Sequence, residues 1–213
     1  MRSVTLVLAF ALAATVSTAP RALAQGADDS GATRLTLVSA HVSLEGTSNV
    51  HDYTASTTAV RLEGIEVGGA STGDLLDDVL QPGALTAFEI VIAAASLASP
   101  REAIDKNMHK ALKVEEFPDI RFRLRAFEPA GGTYQASGWL TIAGVEQEVT
   151  LDVRVQRTGT TLAVEGETEL LMTDFGVTPP RAMLGMIRTN PRVQLRVTVW
   201  LRALTAERAG GSA

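Results

Sequence analysis

Apolar and polar residues alternate with a period of two along most of the chain. Residues 192–202 read R-V-Q-L-R-V-T-V-W-L-R. Val193, Leu195, Val197, Val199 and Leu201 fall on one face, and Gln194, Arg196, Thr198, Trp200 and Arg202 on the other. Asp119 to Arg125 repeats the pattern, with Ile120, Phe122 and Leu124 opposite Arg121, Arg123 and Arg125. Successive side chains of a strand point to opposite sides of a sheet, so such alternation predicts antiparallel sheet with one dry and one wet face. Shorter versions recur at Phe88, Ile90 and Ile92, at Leu140 and Ile142, at Leu151, Val153 and Val155, and from Leu162 through Val164 to Leu170. Leu35 to Leu44 and Ala55 to Val67 fit two more strands. "AGVEQEV" (143–149), with Gly144, and "QRTGTT" (156–161) read as hairpin turns.

Two segments break the alternation with helical spacing. Ser99-Pro100-Arg101-Glu102 reads as a capping box with proline at the first helical position. Ser99 is expected to accept from the amide of Glu102, and Glu102 to reach back to that of Ser99. Ile104, Met108, Ala111 and Leu112 then share a face, and Pro118 is expected to end the run by disfavouring helical geometry at Phe117. Asp74 to Gln81 fits a shorter helix, stopped by Pro82-Gly83. Sheet edges must be hidden, and closure into a barrel removes them. The pattern therefore predicts an all-β fold, an eight-stranded antiparallel barrel with a short helix in a crossover covering one end.

The inward faces collect Phe88, Ile90, Ile92, Ile120, Phe122, Leu124, Leu140, Ile142, Leu151, Val153, Leu195, Val197 and Val199. They either pack against one another as a dry core or line a lumen that takes one small ligand. Periodicity does not separate these readings, because both need one apolar face. A late segment holds Met172, Phe175, Met183, Leu184 and Met186, and Met108 and Leu112 lie on the helix. Methionine adapts to varied apolar partners, which suits a pliable mouth or lid and equally suits ordinary loop packing.

The ends add an address. Arg2 precedes an apolar run from Val4 to Val16, and Ala22-Leu23-Ala24 has the small-residue pattern of a cleavage site. Residues 1–24 are expected to be a cleaved signal peptide, 25–34 and 205–213 flexible tails, and 35–204 a single domain, exported to the periplasm. The run is short for a bilayer span, which needs about 20 residues, so no stable membrane span is expected. The net charge of −5 becomes −7 once Arg2 and Arg21 leave with that segment. An acidic domain of this kind lacks the basic footprint of a nucleic-acid binder. There is no cysteine, which excludes disulfides and thiolate metal sites.

His41, His51 and His109 are the only histidines, and none stands in a His-x-His or His-Glu-x-x-His spacing. No metal site and no cofactor are expected. There is no G-x-S-x-G elbow and no P-loop. No catalytic residue is assigned, and the chain is not expected to be an enzyme.

Four segments taken in order resemble the YceI-like family of lipocalin-like, polyisoprenoid-binding periplasmic proteins. They are "EGTSNVHDYTAST" (45–57), "ASLASPREAIDKNMHKALKVEEFPDIRFRL" (95–124), "GWLTIAGVEQEVTLDV" (138–153) and "LLMTDFGVTPPRAMLGMIRTNPRVQLRV" (170–197). Tyr53 stands where the family more often has tryptophan, and Pro191 sits in an unusual turn. The resemblance implies an extended barrel whose lumen takes a long apolar chain: a polyisoprenoid, a prenyl quinone or a fatty acyl derivative. It places His51, Asp52 and Tyr53 near a barrel end, as contacts for a polar head group. Two other readings stay open, a filled barrel serving envelope stress or partner binding, and a lipid-modifying hydrolase. The sequence also leaves a homodimer open.

Overall fold

The computed structural model describes residues 34–69 and 73–204, without the side chains of Ala182 and Met183. The expected leader and the tails lie outside this range, apart from Arg34, which opens the first strand.

Among the described residues ten strands form in chain order: β1 (Arg34–Ser48), β2 (Asp52–Thr57), β3 (Val60–Val67), β4 (Leu85–Ala93), β5 (Asp119–Ala130), β6 (Thr133–Ile142), β7 (Val145–Thr158), β8 (Thr161–Leu171), β9 (Arg181–Ala182) and β10 (Ile187–Leu204). One sheet runs β2-β1-β10-β8-β7-β6-β5-β4-β3, with the two-residue β9 attached to β10. Every named pairing is antiparallel. The two ends of that order, β2 and β3, are consecutive in the chain and separated only by Thr58 and Ala59. They act as halves of one bent stave. The first half pairs with β1 through Thr57 opposite Val42, and the second with β4 through Val60 opposite Ile92. The sheet thus curls back on itself. Nine strands lie on its path instead of the expected eight, and the bend between β2 and β3 accounts for the extra one.

The bend is pinned by local bonds. Ser56 and Ala98 exchange backbone hydrogen bonds of 2.8 and 3.0 Å, and the Thr57 and Ser96 hydroxyls lie 2.7 Å apart. Pairing β2 with this crossover segment covers part of the edge that the change of partner exposes.

Hairpin turns explain the tight connections. Ala143 and Gly144 both have positive φ, 49° and 79°, and join the Ile142–Val145 pair as a two-residue turn of the primed kind, whose twist matches that of the flanking strands. Gly144 is also a close approach: a Cβ there would lie 2.4 Å from the Phe117 ring.

Two helices sit in opposite connections. Helix α1 (Leu75–Asp78) lies between β3 and β4, and α2 (Glu102–Leu112) between β4 and β5. Because β4 is antiparallel to both neighbours, these connections fall at opposite ends of the barrel. Leu76 and Val79 pack with Leu35 and Leu162 at the α1 end. Asp74 caps α1 by accepting from the Leu76 amide at 2.9 Å and also binds Arg157, which reaches Asp77 as well. These contacts tie α1 to β1, β7 and β8 across that end.

Two local expectations for α2 need correction. Ser99 does not cap Glu102. Its hydroxyl accepts from the Arg101 amide at 3.2 Å, while Asp105 accepts from the Ser99 amide at 2.7 Å. Arg101 occupies the cap position, so the helix starts later than the capping box implies. Nor does Pro118 end the helix. The stop is Lys113, in left-handed conformation (φ 52°), with Lys113 N–H donating to Lys110 O and Val114 N–H to His109 O. That pair of bonds satisfies the last carbonyls as a Schellman motif does.

Pro191 lies inside β10, not in a turn before it. It falls where the β1 register slips between Gly46–Val193 and Ser48–Thr189, so its missing N–H costs no ladder bond there.

Candidate ligand-binding site

The wall of the barrel encloses a cavity of about 140 Å³. Every side chain lining it is apolar, from Val79, Leu80 and Leu85 at the α1 end to Leu44, Ile142 and Leu170 nearer α2. All thirteen residues expected on the inward face line it. The alternation puts them there: Ile90, Leu140, Val153 and Val199 are buried, while their chain neighbours Glu89, Trp139, Asp152 and Thr198 turn outward or remain partly exposed. Gly166 lines the same space opposite Val197, so β8 contributes no side chain at that level.

A second cavity of about 310 Å³ lies under α2. Leu44, Ile142 and Leu170 line both cavities and form a waist between them. The apolar face of α2 (Ile104, Met108, Ala111 and Leu112) forms one wall. No residue of α2 is fully buried, so the helix lies over the space instead of plugging it. It is held by the His109 ring, whose Nε2 donates to Leu97 O at 2.8 Å. Met172 and Phe175 face the same cavity.

Leu184 and Met186 do not line it. Leu184 is fully exposed and Met186 is 67% exposed, both on the tip that follows β9. Their assignment as mouth residues is corrected: the hairpin carries them past the rim into solvent. The side chain of Met183 lies outside the described residues.

The second cavity also has a polar side, formed by Ser48, His51, Tyr53, Arg101, Asn107, Arg181 and Thr189. His51 and Tyr53 face inward from β2 and the residue before it. Asp52, between them, is exposed and lines neither cavity. Of the three expected head-group residues, two are brought together and the third is directed away, as period two requires. The Arg101 guanidinium donates to His51 Nε2 at 2.9 Å. A guanidinium has no acceptor, so that ring nitrogen must be the acceptor.

Tyr53 is placed by a glycine. It pairs with Gly46 across β1 and β2, and a Cβ at Gly46 would lie 2.2 Å from the Tyr53 hydroxyl oxygen. The phenol can lie there only because nothing projects from position 46. Its hydroxyl is the one buried side-chain polar atom among the described residues with no hydrogen-bond partner. Burial pushes its pKa above the ordinary phenol value, so it remains a donor at neutral pH.

Sequence reasoning missed Gly46, Arg101, Asn107 and Arg181. Gly46 and Arg101 stood inside segments already singled out. Their pairing with Tyr53 and His51 is a tertiary fact that spacing does not encode. His41 is exposed on β1 and belongs to neither cavity. Among the described residues no three His, Cys, Asp or Glu side chains gather into a metal-binding group, and no helix is long and apolar enough to cross a membrane.

Comparison with known proteins bears on the family and the fold. The sequence matches the YceI-like domain over residues 29–199. No curated protein matches it. The crystal structure of BcnA from Burkholderia cenocepacia is similar at a TM-score of 0.60 and 18% identity, over 76% of this chain and 95% of that one. A polyisoprenoid-binding domain from Saccharophagus degradans, implicated in plant cell wall breakdown, is similar at 0.55 and 13%, over 82% and 99%. At such identities the structural likeness carries the fold alone, while the domain match covers most of the sequence. The chain belongs to the YceI-like family.

Proposed function

We propose that this protein holds a long apolar chain, a polyisoprenoid, prenyl quinone or fatty acyl derivative, with its tail in the barrel and its head in the cavity under α2. The observation that carries this reading is the wholly apolar lining of the first cavity, joined at a waist to a larger cavity with one polar side. The Saccharophagus degradans domain, described as polyisoprenoid-binding, shares the fold and supports the choice of ligand class.

The driving force is burial of methylenes, roughly 0.8 kcal/mol each. Ordering and immobilisation costs are subtracted from that sum, so several isoprene units are needed for useful affinity. Pockets for small molecules run from about 300 to 1,000 Å³. The first cavity falls below that range. A long chain must therefore part Leu44, Ile142 and Leu170 and use both spaces. The polar side selects a head that can accept from Tyr53 and Arg101. We read the site as one that keeps its ligand unchanged, and the protein as a periplasmic carrier or store, exported by the leader read in residues 1–24.

Native mass spectrometry of protein purified from its own host tests this. A defined apolar adduct, exchangeable for an added prenol, is expected. Protein that emerges bare and takes up no prenol would favour a filled scaffold, and turnover of a prenyl or acyl ester would favour a hydrolase.

A further inference from the structure

The α2 end of the barrel carries an apolar tip set among arginines. Residues 181–188 form a small hairpin in which Ile187 pairs with Ala182 and Arg188 with Arg181. Arg181 and Ile187 line the second cavity, so the hairpin rises from its rim. At the top Leu184 and Met186 are exposed, and Leu184 adopts φ 55°, ψ 30°, a conformation unfavourable for a leucine. Val50, 62% exposed, sits on the neighbouring loop. That loop is tied to the hairpin through Asn49, which donates to Met186 O at 2.8 Å and accepts from the Arg188 amide at 2.7 Å. Three exposed apolar side chains are thus presented on two bonded loops beside the opening.

On the barrel wall Arg121, Arg123, Arg125 and Arg196 each pair with a carboxylate. Among the described residues Arg101, Arg181 and Arg188 have no such partner; of the other arginines only Arg34 and Arg202, at the α1 end of β1 and β10, lack one too. Of the acids near them in the sequence, Glu102 pairs with Lys106 at 2.8 Å, Asp105 accepts from the Ser99 amide, Asp52 lies on the outer face of β2, and Asp174 is exposed on the turn after β8. The whole chain is acidic, at −5. Screening over about 8 Å at physiological salt lets a local basic rim act independently of that total.

We propose that this tip docks the barrel on an anionic lipid bilayer, with Leu184, Met186 and Val50 entering the surface and Arg188 and the rim arginines meeting lipid phosphates. The second cavity then opens toward the bilayer, and a chain passes between the two without crossing water. The inference rests on the cavity being a lipid site. A membrane suits the patch better than a protein partner does, because apolar side chains flanked by unpaired arginines match the layered chemistry of an anionic interface.

Flotation of protein purified from its host with phosphatidylcholine vesicles, with and without phosphatidylglycerol, tests the proposal. Binding is expected to the anionic vesicles only, and to fall at least ten-fold in Leu184→Ser/Met186→Ser and in Arg188→Glu. Transfer of a fluorescent prenol from those vesicles should slow at least ten-fold in both variants, while uptake of the same prenol from dilute detergent stays unchanged. No flotation, or flotation indifferent to both variants, overturns the docking and leaves the cavity reading intact. Uptake absent from both sources overturns the cavity reading and the docking with it. A dimer that the double serine variant converts to monomer assigns the patch to a second copy and overturns the proposal.

Discussion

Replacing Val197 by Trp should weaken binding of a long prenyl chain about 100-fold and leave a short one unaffected. Val197 lines the first cavity from β10, and its cross-strand partner on β8 is Gly166. β8 puts no side chain in the way of an indole there, although Leu151 and Val153 lie close over Gly166, and the indole must project into a space of only about 140 Å³. The displaced length of ligand is close to one isoprene unit. At roughly 0.8 kcal/mol per buried methylene that is about 3 kcal/mol. With 1.4 kcal/mol per decade, the loss is about two decades in Kd. Overpacking a filled core costs about 1–3 kcal/mol. Here the indole enters vacant space, so Tm should fall by no more than about 4 °C, given about 2–4 °C per kcal/mol at this chain length. The assay is displacement of a fluorescent acyl chain by prenols of increasing length, with a thermal melt alongside. A two-isoprene prenol is expected to stay under α2 and to bind both proteins alike. Equal weakening at every length would mean that the indole disturbs the mouth or the fold. No weakening at any length would mean that the chain never passes the Leu44–Ile142–Leu170 waist, and the reasoning would fail.

Tyr53→Phe removes a buried hydroxyl that has no partner, so the ligand-free protein should gain about 1 kcal/mol, read by denaturant melts, while affinity for a ligand with an oxygen-bearing head falls. Loss of stability without ligand would show that the hydroxyl is satisfied after all. Gly138→Ala would put a Cβ 2.3 Å from the Arg123 carbonyl oxygen, and should cost about 2 kcal/mol. Gly64→Ala, with open space around it, should change stability by less than about 0.5 kcal/mol. Similar effects at both positions would contradict the packing described between β5 and β6. Arg157 holds the Asp74 carboxyl below its ordinary pKa. A carboxyl depressed in the folded state stabilises above its unfolded pKa, and that contribution is lost as pH falls through the folded value. Asp74→Asn keeps a side chain able to cap α1, so the stability difference from the parent protein should be full at neutral pH and vanish on acidification below the ordinary aspartate range. A difference that persists unchanged in acid would refute the ion-pair account.

The staves were legible because period two is a property of the chain itself. Val193, Leu195 and Val199 face one way wherever the strand is placed, and a barrel is what hides so many edges. The helix boundaries were not, because they depend on which of several competing local bonds wins. Ser99 had a plausible cap geometry, but Asp105 took the Ser99 amide and moved the start of α2. Lys113 ended the helix in a conformation that usually goes to glycine, five residues before the proline that looked decisive. The mouth was the least legible part. Methionine content marked the right segment, yet hairpin geometry decided that Met172 faces the cavity and Met186 faces solvent. Likewise the contacts of Tyr53 with Gly46 and of Arg101 with His51 exist only after β1, β2 and α2 have met.

The most direct measurement is a crystal structure with a long chain brominated at its apolar end. An anomalous bromine peak is expected in the first cavity, between Gly166, Val197 and Leu151, with the chain running past Leu170 toward Tyr53. Bromine found only on the outer surface, with the barrel closed by its own side chains from α1 to α2, would contradict it.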